Sequence, residues 1–439
     1  RTVVSPKGRV LQSKLNANSQ LDEIAMSGIA PTTFNYDSRG RLQATAQGPR
    51  ATSMTYNSAG YLESVTNSLN QTKSYSYDVN GNVLRETLPD NRFVQYSYDE
   101  NGNLASVTPF GKSPHMFSYS VINQLTNYLP PELSGTPTVT QYHYDADRRI
   151  ASIDRPDGQS IVNTYHPTSG LLQIQSSATD NISMTYFDGK VSTMNTEDLV
   201  GSSFFYDGSM MIRDTYTGVL SGYYARNFNS NLEIGNDDVN GQIVSYFYDV
   251  DGLLTNAGQQ IYAYSNANTQ LLSSTLGTVS DSFTYNTFGE MQTYSSANFS
   301  SSYTRDNLGR ITNLGENQNG SIVNSAFIYD DAGRLVQVSK GGVVTNYDYD
   351  SNNNRLAKRI NGAVVESGAY DEQDRAVSYN GNAYTYNLNG ELILKTKAGQ
   401  STAYEYDVYG NLKRAILPNA SIIDYMIDGR GRRAAKKLN

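Results

Sequence analysis

Cysteine and tryptophan are absent from this 439-residue chain, and there are only three histidines. Without cysteine there are no disulfides, no thiolate nucleophile and no Cys-based metal site, and the redox compartment stays open. Positive charge is also short. The 34 Lys and Arg stand against 42 Asp and Glu, giving a net charge of −8 and a pI near 5.0. A nucleic-acid or anionic-membrane role therefore has no electrostatic support. Hydrophobic residues make up 38% of the chain and mean hydropathy is −0.52, which is little material for a conventional core of this size. No apolar run approaches the length of a membrane-spanning helix. The chain starts at Arg1 with no initiator Met and no signal-like segment, so it reads as a piece of something longer.

What the chain has in abundance is tyrosine, 35 residues against 13 Phe, and the tyrosines are ordered. In Tyr96-Ser97-Tyr98-Asp99-Glu100-Asn101-Gly102-Asn103-Leu104 the two tyrosines are two apart, so an extended strand points them to one face. Asp99 offers a short carboxylate to backbone N–H groups two residues on. Gly102 supplies positive φ at low cost. The phrase reads as strand, turn, strand.

The phrase recurs from Phe34-Asn35-Tyr36-Asp37 onward. Its anchoring residue falls at Tyr36, Tyr56, Tyr77, Tyr98, Tyr119, Tyr144 and so on to Tyr406, with Phe228, Arg305 and Ile427 as substitutes. The spacing is mostly 20 or 21 residues. Longer gaps, as before Tyr144, are insertions, and Asn127–Thr138 with Pro130, Pro131 and Pro137 reads as a loop. The short gaps before Tyr264 and Tyr386 are shortened units. A second turn signal lies midway, at Pro89-Asp90-Asn91, Pro156-Asp157-Gly158, Gly341-Gly342, Asn361-Gly362, Ala398-Gly399 and Pro418-Asn419. Each unit thus has two strands, roughly 40 strands in all, each of ordinary length. Residues 1–33 form a partly irregular lead-in that completes the first repeat, with a helix-like spacing over Leu21–Met26. Residues 34–439 are one domain of repeats.

Consecutive hairpins pair with their neighbours, giving a long antiparallel meander that must curl or split. Propeller blades or a sandwich need an aliphatic face. Here, as in Ala403-Tyr404-Glu405-Tyr406, one face is tyrosine and the other small or charged. That favours a wall one sheet thick, coiled on itself as an all-β shell.

The copies at Tyr77-Asp78-Val79-Asn80-Gly81-Asn82, Tyr329-Asp330-Asp331-Ala332-Gly333-Arg334-Leu335 and Tyr406-Asp407-Val408-Tyr409-Gly410-Asn411-Leu412, with that at Tyr98, closely resemble the YD-repeat (Rhs) family over nearly the whole chain. The terminal Ile427-Asp428-Gly429-Arg430-Gly431-Arg432-Arg433 is similar to the last stretch of the YD shell in teneurins and their bacterial relatives. The resemblance implies a long antiparallel sheet of hairpins spiralling into a hollow shell or barrel. It implies a non-enzymatic structural role, enclosing a C-terminal toxin or toxin-like tail of a larger secreted or cell-surface protein. The partner would be that cargo segment of the same polypeptide, with no nucleic acid and no membrane insertion. The alternative is a teneurin-type adhesion or carbohydrate-binding module, meeting cell-surface glycans or proteins on its outer face or at Asn127–Thr138. Many Rhs shells release their cargo at an Asp-Pro motif beyond the repeats. This sequence contains no Asp-Pro, so neither self-cleavage nor a resident toxin is expected in it.

No catalytic, cofactor-binding or metal residue and no cofactor is expected. His115 follows Pro114 in a loop, His143 lies opposite Tyr142 and Tyr144, and His166 takes the place of the repeat aspartate. No Gly-x-Ser-x-Gly or His-Glu-x-x-His motif accompanies them. Asp99-x-Asn101-x-Asn103 and Asp249-x-Asp251 superficially resemble calcium loops, but the glycine is misplaced and the acidic twelfth ligand is missing. Turn capping is the reading preferred. The basic cluster Arg430, Arg432, Arg433, Lys436 and Lys437 is expected to pair with acidic turns such as Asp424 and Asp428. An open sheet edge makes end-to-end association possible.

Overall fold

The computed structural model describes residues 1–133, 138–198 and 200–439. Among these residues there are 43 strands and no helix. Within each ribbon of hairpins, strands pair antiparallel with the next in sequence. At one end Thr2–Val4 lies against Val10–Leu15, with Thr2 opposite Gln12. At the other Ile422–Ile427 lies against Arg433–Leu438, with Asp424 opposite Lys437. The expected meander of hairpins is the fold.

Contacts gather the chain into two compact units. The first joins Arg1–Gln95 to Val244–Val365, and the second joins Tyr96–Ile243 to Glu366–Asn439. Each unit therefore combines an early and a late ribbon of hairpins.

Strand alternation sorts the side chains as the sequence suggests. In Phe93–Tyr98, Tyr96 and Tyr98 are half-buried and Ser97 is exposed. The exposed face carries cross-strand hydroxyl pairs, such as Ser97 with Ser106 at 2.6 Å and Thr284 with Thr293 at 2.7 Å, beside exposed apolar residues such as Phe205, Phe247 and Ile328. Such pairs are the sheet's own lateral bonds. Among the described residues only eight hydrophobic side chains are buried: Ile182, Met184, Val200, Phe204, Ala357, Val408, Ala415 and Ile427. All but Ala357 lie in the second unit. A sheet with so few is held by its ladders and turns more than by a core.

Two expectations about secondary structure need correction, besides that for His115 below. Leu21–Met26 is a strand, paired with Val10–Leu15 through Met26 opposite Leu11 and Ile24 opposite Ser13. Ile24 and Met26 are two apart, the strand period, and a six-residue stretch is too short for a three-residue spacing to mean helix. The Asn127–Thr138 stretch is not all loop, because its first residues belong to the strand Leu125–Leu129. Pro137, with residues 134–136, lies outside the described residues. The shortened units are real, for Leu254–Ala257 and Ala376–Tyr379 have four residues each.

The midway turns come in two chemistries. Five-residue turns such as Arg155–Gln159 close with Gly158 N–H donating to Arg155 O at 2.9 Å. Two-residue turns carry two positive φ angles in succession, 48° and 87° at Asn361-Gly362 and 50° and 78° at Ala398-Gly399. That pattern is the type I′ hairpin, whose twist matches its strands.

Candidate functional site

The repeated turn is the unit from which any site is built. In Asp37–Arg41, Asp37 N–H donates to Arg41 O at 2.9 Å, and Gly40 N–H donates to Asp37 O at 2.9 Å. The Asp37 carboxylate accepts from the N–H groups of Arg39 and Arg41, both at 2.9 Å. Arg41 Nε donates to its second oxygen at 2.8 Å. Asp99 repeats the pattern with Asn101 N–H, Asn103 N–H and Asn103 Nδ2. The bond from the Arg41 backbone, and after it the Arg41 side chain and Arg39 backbone, hold the Asp37 carboxyl below the usual carboxylate range against a counteracting desolvation. Asp78, Asp99 and Asp145 are lowered in the same way, side-chain bonds from the fifth turn residue leading. The pairing register shifts at the anchor, for example between Asn35 and Tyr36 and between His143 and Tyr144, with the fourth turn residue at positive φ, Gly40 at 78° and Arg148 at 66°.

The anchor tyrosine joins one repeat to the one before. Tyr77 Oη donates to Leu62 O at 2.7 Å, Tyr165 to Ile150 O at 2.9 Å and Tyr349 to Leu335 O at 2.9 Å. The arginine that ends the turn then lies over the next anchor ring. Arg41 lies 4.1 Å from the Tyr56 centroid, Arg149 4.3 Å from Tyr165 and Arg375 4.7 Å from Tyr386. Sequence reasoning missed both links. The signal was the arginine that ends the turn in Asp37…Arg41, Asp145…Arg149, Asp330…Arg334 and Asp371…Arg375.

A seam forms where midway turns of the early ribbon meet capped turns of the late one. In the first unit Arg9, 6% exposed, forms ion pairs with Asp251 and Asp249 and donates from Nε to Asn268 O at 2.8 Å. Arg50 grips Glu290 with two bonds of 2.8 and 2.9 Å and lies 3.8 Å over the Phe288 ring. The bond from Arg50 is the largest cause of the lowered Glu290 pKa. Arg305, standing where a tyrosine anchor is usual, is 3.4 Å from the same carboxylate. Arg92 reaches Ser351 O and Asn353 Oδ1.

The second unit uses the same device. Lys112 Nζ donates to Asp371 O at 2.8 Å, Arg155 pairs with Glu391 and donates to Val408 O, and Asn389 Nδ2 donates to Asp157 at 2.7 Å. Further along, the late turns cover the tyrosine face itself. Tyr409 Oη donates to Gln175 O at 2.8 Å, and Arg430 lies 3.9 Å over the Phe204 ring. Gly429 is needed there, since a Cβ would come within 2.8 Å of Met194 Cβ.

The other candidates resolve into structural roles. His115 is not in a loop. It opens the strand His115–Tyr119, its Nδ1 is 2.8 Å from Tyr128 Oη, and burial pushes its pKa down. His143 is exposed on the face opposite its flanking tyrosines, with Nε2 2.8 Å from Asp154 Oδ2. His166 Nδ1 accepts from Ser169 N–H at 3.2 Å, replacing the aspartate cap. Asp99 is committed to its turn, and Asp249 caps its own while Asp251 serves the seam. Among the described residues no group of three or more His, Asp or Glu is placed to hold a metal ion. Arg432 pairs with Asp428 at 2.7 Å and with Asp214 at 3.1 Å, and Arg430 with Asp214 at 3.4 Å. Arg433 stacks on Tyr425, while Asp424 is taken by Arg414.

Tyrosine-stapled hairpins, aspartate-capped turns and nearly coreless sheets define a class, the structural wall built from YD repeats. The Teneurin YD-shell family matches residues 2–439, and the chain belongs to that family. It shares its fold with the Photorhabdus luminescens Tc holotoxin pore, at TM-score 0.59 and 12% identity, over 97% of this chain and 26% of that one. The crystal structure of TcdB2-TccC3 gives the same score and identity over 100% and 31%. The chain thus spans about a quarter to a third of the length of these solved chains. The tRNA3(Ser)-specific nuclease WapA of Bacillus spizizenii is 31% identical over 114 residues, which is 24% of this chain and 5% of that protein.

Proposed function

We propose that this YD shell encloses a C-terminal polypeptide of a larger secreted or cell-surface protein, and does so without catalysis. Residues 1–33 would complete the first repeat of the same shell as 34–439. The observation that carries the reading is the shortage of buried apolar side chains, eight among the described residues. A sheet one layer thick, with half-buried tyrosines on one face and exposed side chains on the other, suits a partition. The match of the family along the chain supports the same reading.

Limited proteolysis of the natural longer polypeptide tests this. Sites in the segment after the repeats should resist protease until the seams are loosened. Cleavage of that segment as fast as in the segment expressed alone would remove the reading.

A further inference from the structure

Asp99 and Asp407 are the same residue in the same turn. Each accepts from the second and fourth N–H groups after it and from an asparagine side chain, Asn103 or Asn411. Their surroundings differ. Asp99 is half-exposed, whereas Asp407 is 9% exposed at the seam of the second unit.

There it lines a small pocket with Asp180, Glu197, Asp198 and Asp428, and Lys413 is the one cation among the lining residues. Each neighbour has a place. Asp180, in the turn before Asn181–Phe187, accepts from Val408 N–H at 3.5 Å. Asp198, before the strand Val200–Asp207, binds Lys413 and accepts from Ile427 N–H at 3.1 Å. Asp428 is held by Arg432. Arg155 meets the backbone carbonyl of Asp407, and Tyr409 follows it in its own turn. Lys413 binds Asp198 and Arg432 binds Asp428. Lys413 also acts on Asp407, but after the opposing charge of Asp180, and Glu197 lines the same pocket.

We propose that Asp407 is a proton-sensitive latch, whose protonation tightens the clasp of the late turns on the early ribbon in the second unit. The direction of its titration agrees. Burial, and after it the Asp180 charge, raise the Asp407 pKa, whereas the matched Asp99 is lowered. Burial also pushes the Tyr409 phenol up to about 12. A carboxyl with a raised folded pKa favours the folded, clasped form on the acid side. That contribution is lost as pH rises from the ordinary carboxylate range through the raised value.

Hydrogen exchange of the Val408 and Ile427 amides, corrected for intrinsic rates, reads the clasp directly. Their protection should be severalfold greater at about pH 4, the ordinary carboxylate range, than at about pH 8. In Asp407→Asn the difference should vanish, with protection high at both pH values. Asparagine already caps this turn at Asn57, Asn286 and Asn387, so the fold should survive. Asp180→Asn, which removes the opposing charge, should shrink the difference, and Asp99→Asn should leave it unchanged. Equal protection at both pH values in the unmodified chain would overturn the proposal. So would a pH dependence that persists in Asp407→Asn.

Discussion

At the scale of single residues most turns pair the cap with the residue four positions on as donor with acceptor, Asp249 before Leu253 and Asn57 before Tyr61 being exceptions. An aspartate cap is followed four residues on by a donor, Arg41, Asn82 or Arg149. An asparagine cap is followed by an acceptor, and Asn67, Asn286 and Asn387 donate to Gln71, Glu290 and Glu391. Asp99→Ala should therefore release the Asn101 and Asn103 amides, whose exchange should accelerate roughly tenfold while the distant turns stay unchanged. The lowered caps set the acid limit. Their stabilisation is present above the unfolded carboxylate range, about pH 4, and is lost as pH falls through their lower folded values. Acid unfolding followed by circular dichroism should therefore begin below about pH 4, not above it. Glycine positions separate strain from crowding. Gly102 has φ of +82° and open space, while Gly81 has φ of +89° and would place a Cβ 2.6 Å from the Tyr61 ring. Gly102→Ala should cost about 1 kcal/mol from backbone strain alone, and Gly81→Ala clearly more, in urea titrations.

At the scale of the element, the hairpins are linked by tyrosine hydroxyls and arginine stacks. Tyr77→Phe keeps the ring and leaves Leu62 O without its donor, so it should cost about 1 kcal/mol in the same urea titrations. A cost indistinguishable from zero would mean that the hydroxyl is ornamental. Strand, cap and glycine are legible in the sequence because Tyr98, Asp99 and Gly102 act on neighbours within six residues. The staple is not, because a tyrosine's place in a strand tells where its ring points and not which carbonyl its Oη reaches. For Tyr77 that carbonyl is Leu62 O, 15 positions back. His115 defeats a local reading for a related reason. Pro114 signals a break, but the strand begins directly after it.

At the scale of the whole molecule the seam joins ribbons that are far apart in the chain, and it is what the sequence hides. Arg50 meets Glu290 across 240 positions and Arg155 meets Glu391 across 236, and no local pattern announces such partners. The Arg155 and Glu391 side chains are 12% and 13% exposed. Truncation to Arg155→Ala would leave a nearly buried carboxylate without its counter-ion, bonded, among the described residues, only by Asn387, and should cost about 3 kcal/mol, with faster proteolysis of the chain between Arg155 and Tyr409. If these repeats form a thin wall around space, small-angle X-ray scattering of the 439-residue chain should report a hollow particle. Its distance distribution should be shifted toward long vectors relative to a solid protein of equal mass. A distribution matching a compact solid globule would contradict the wall.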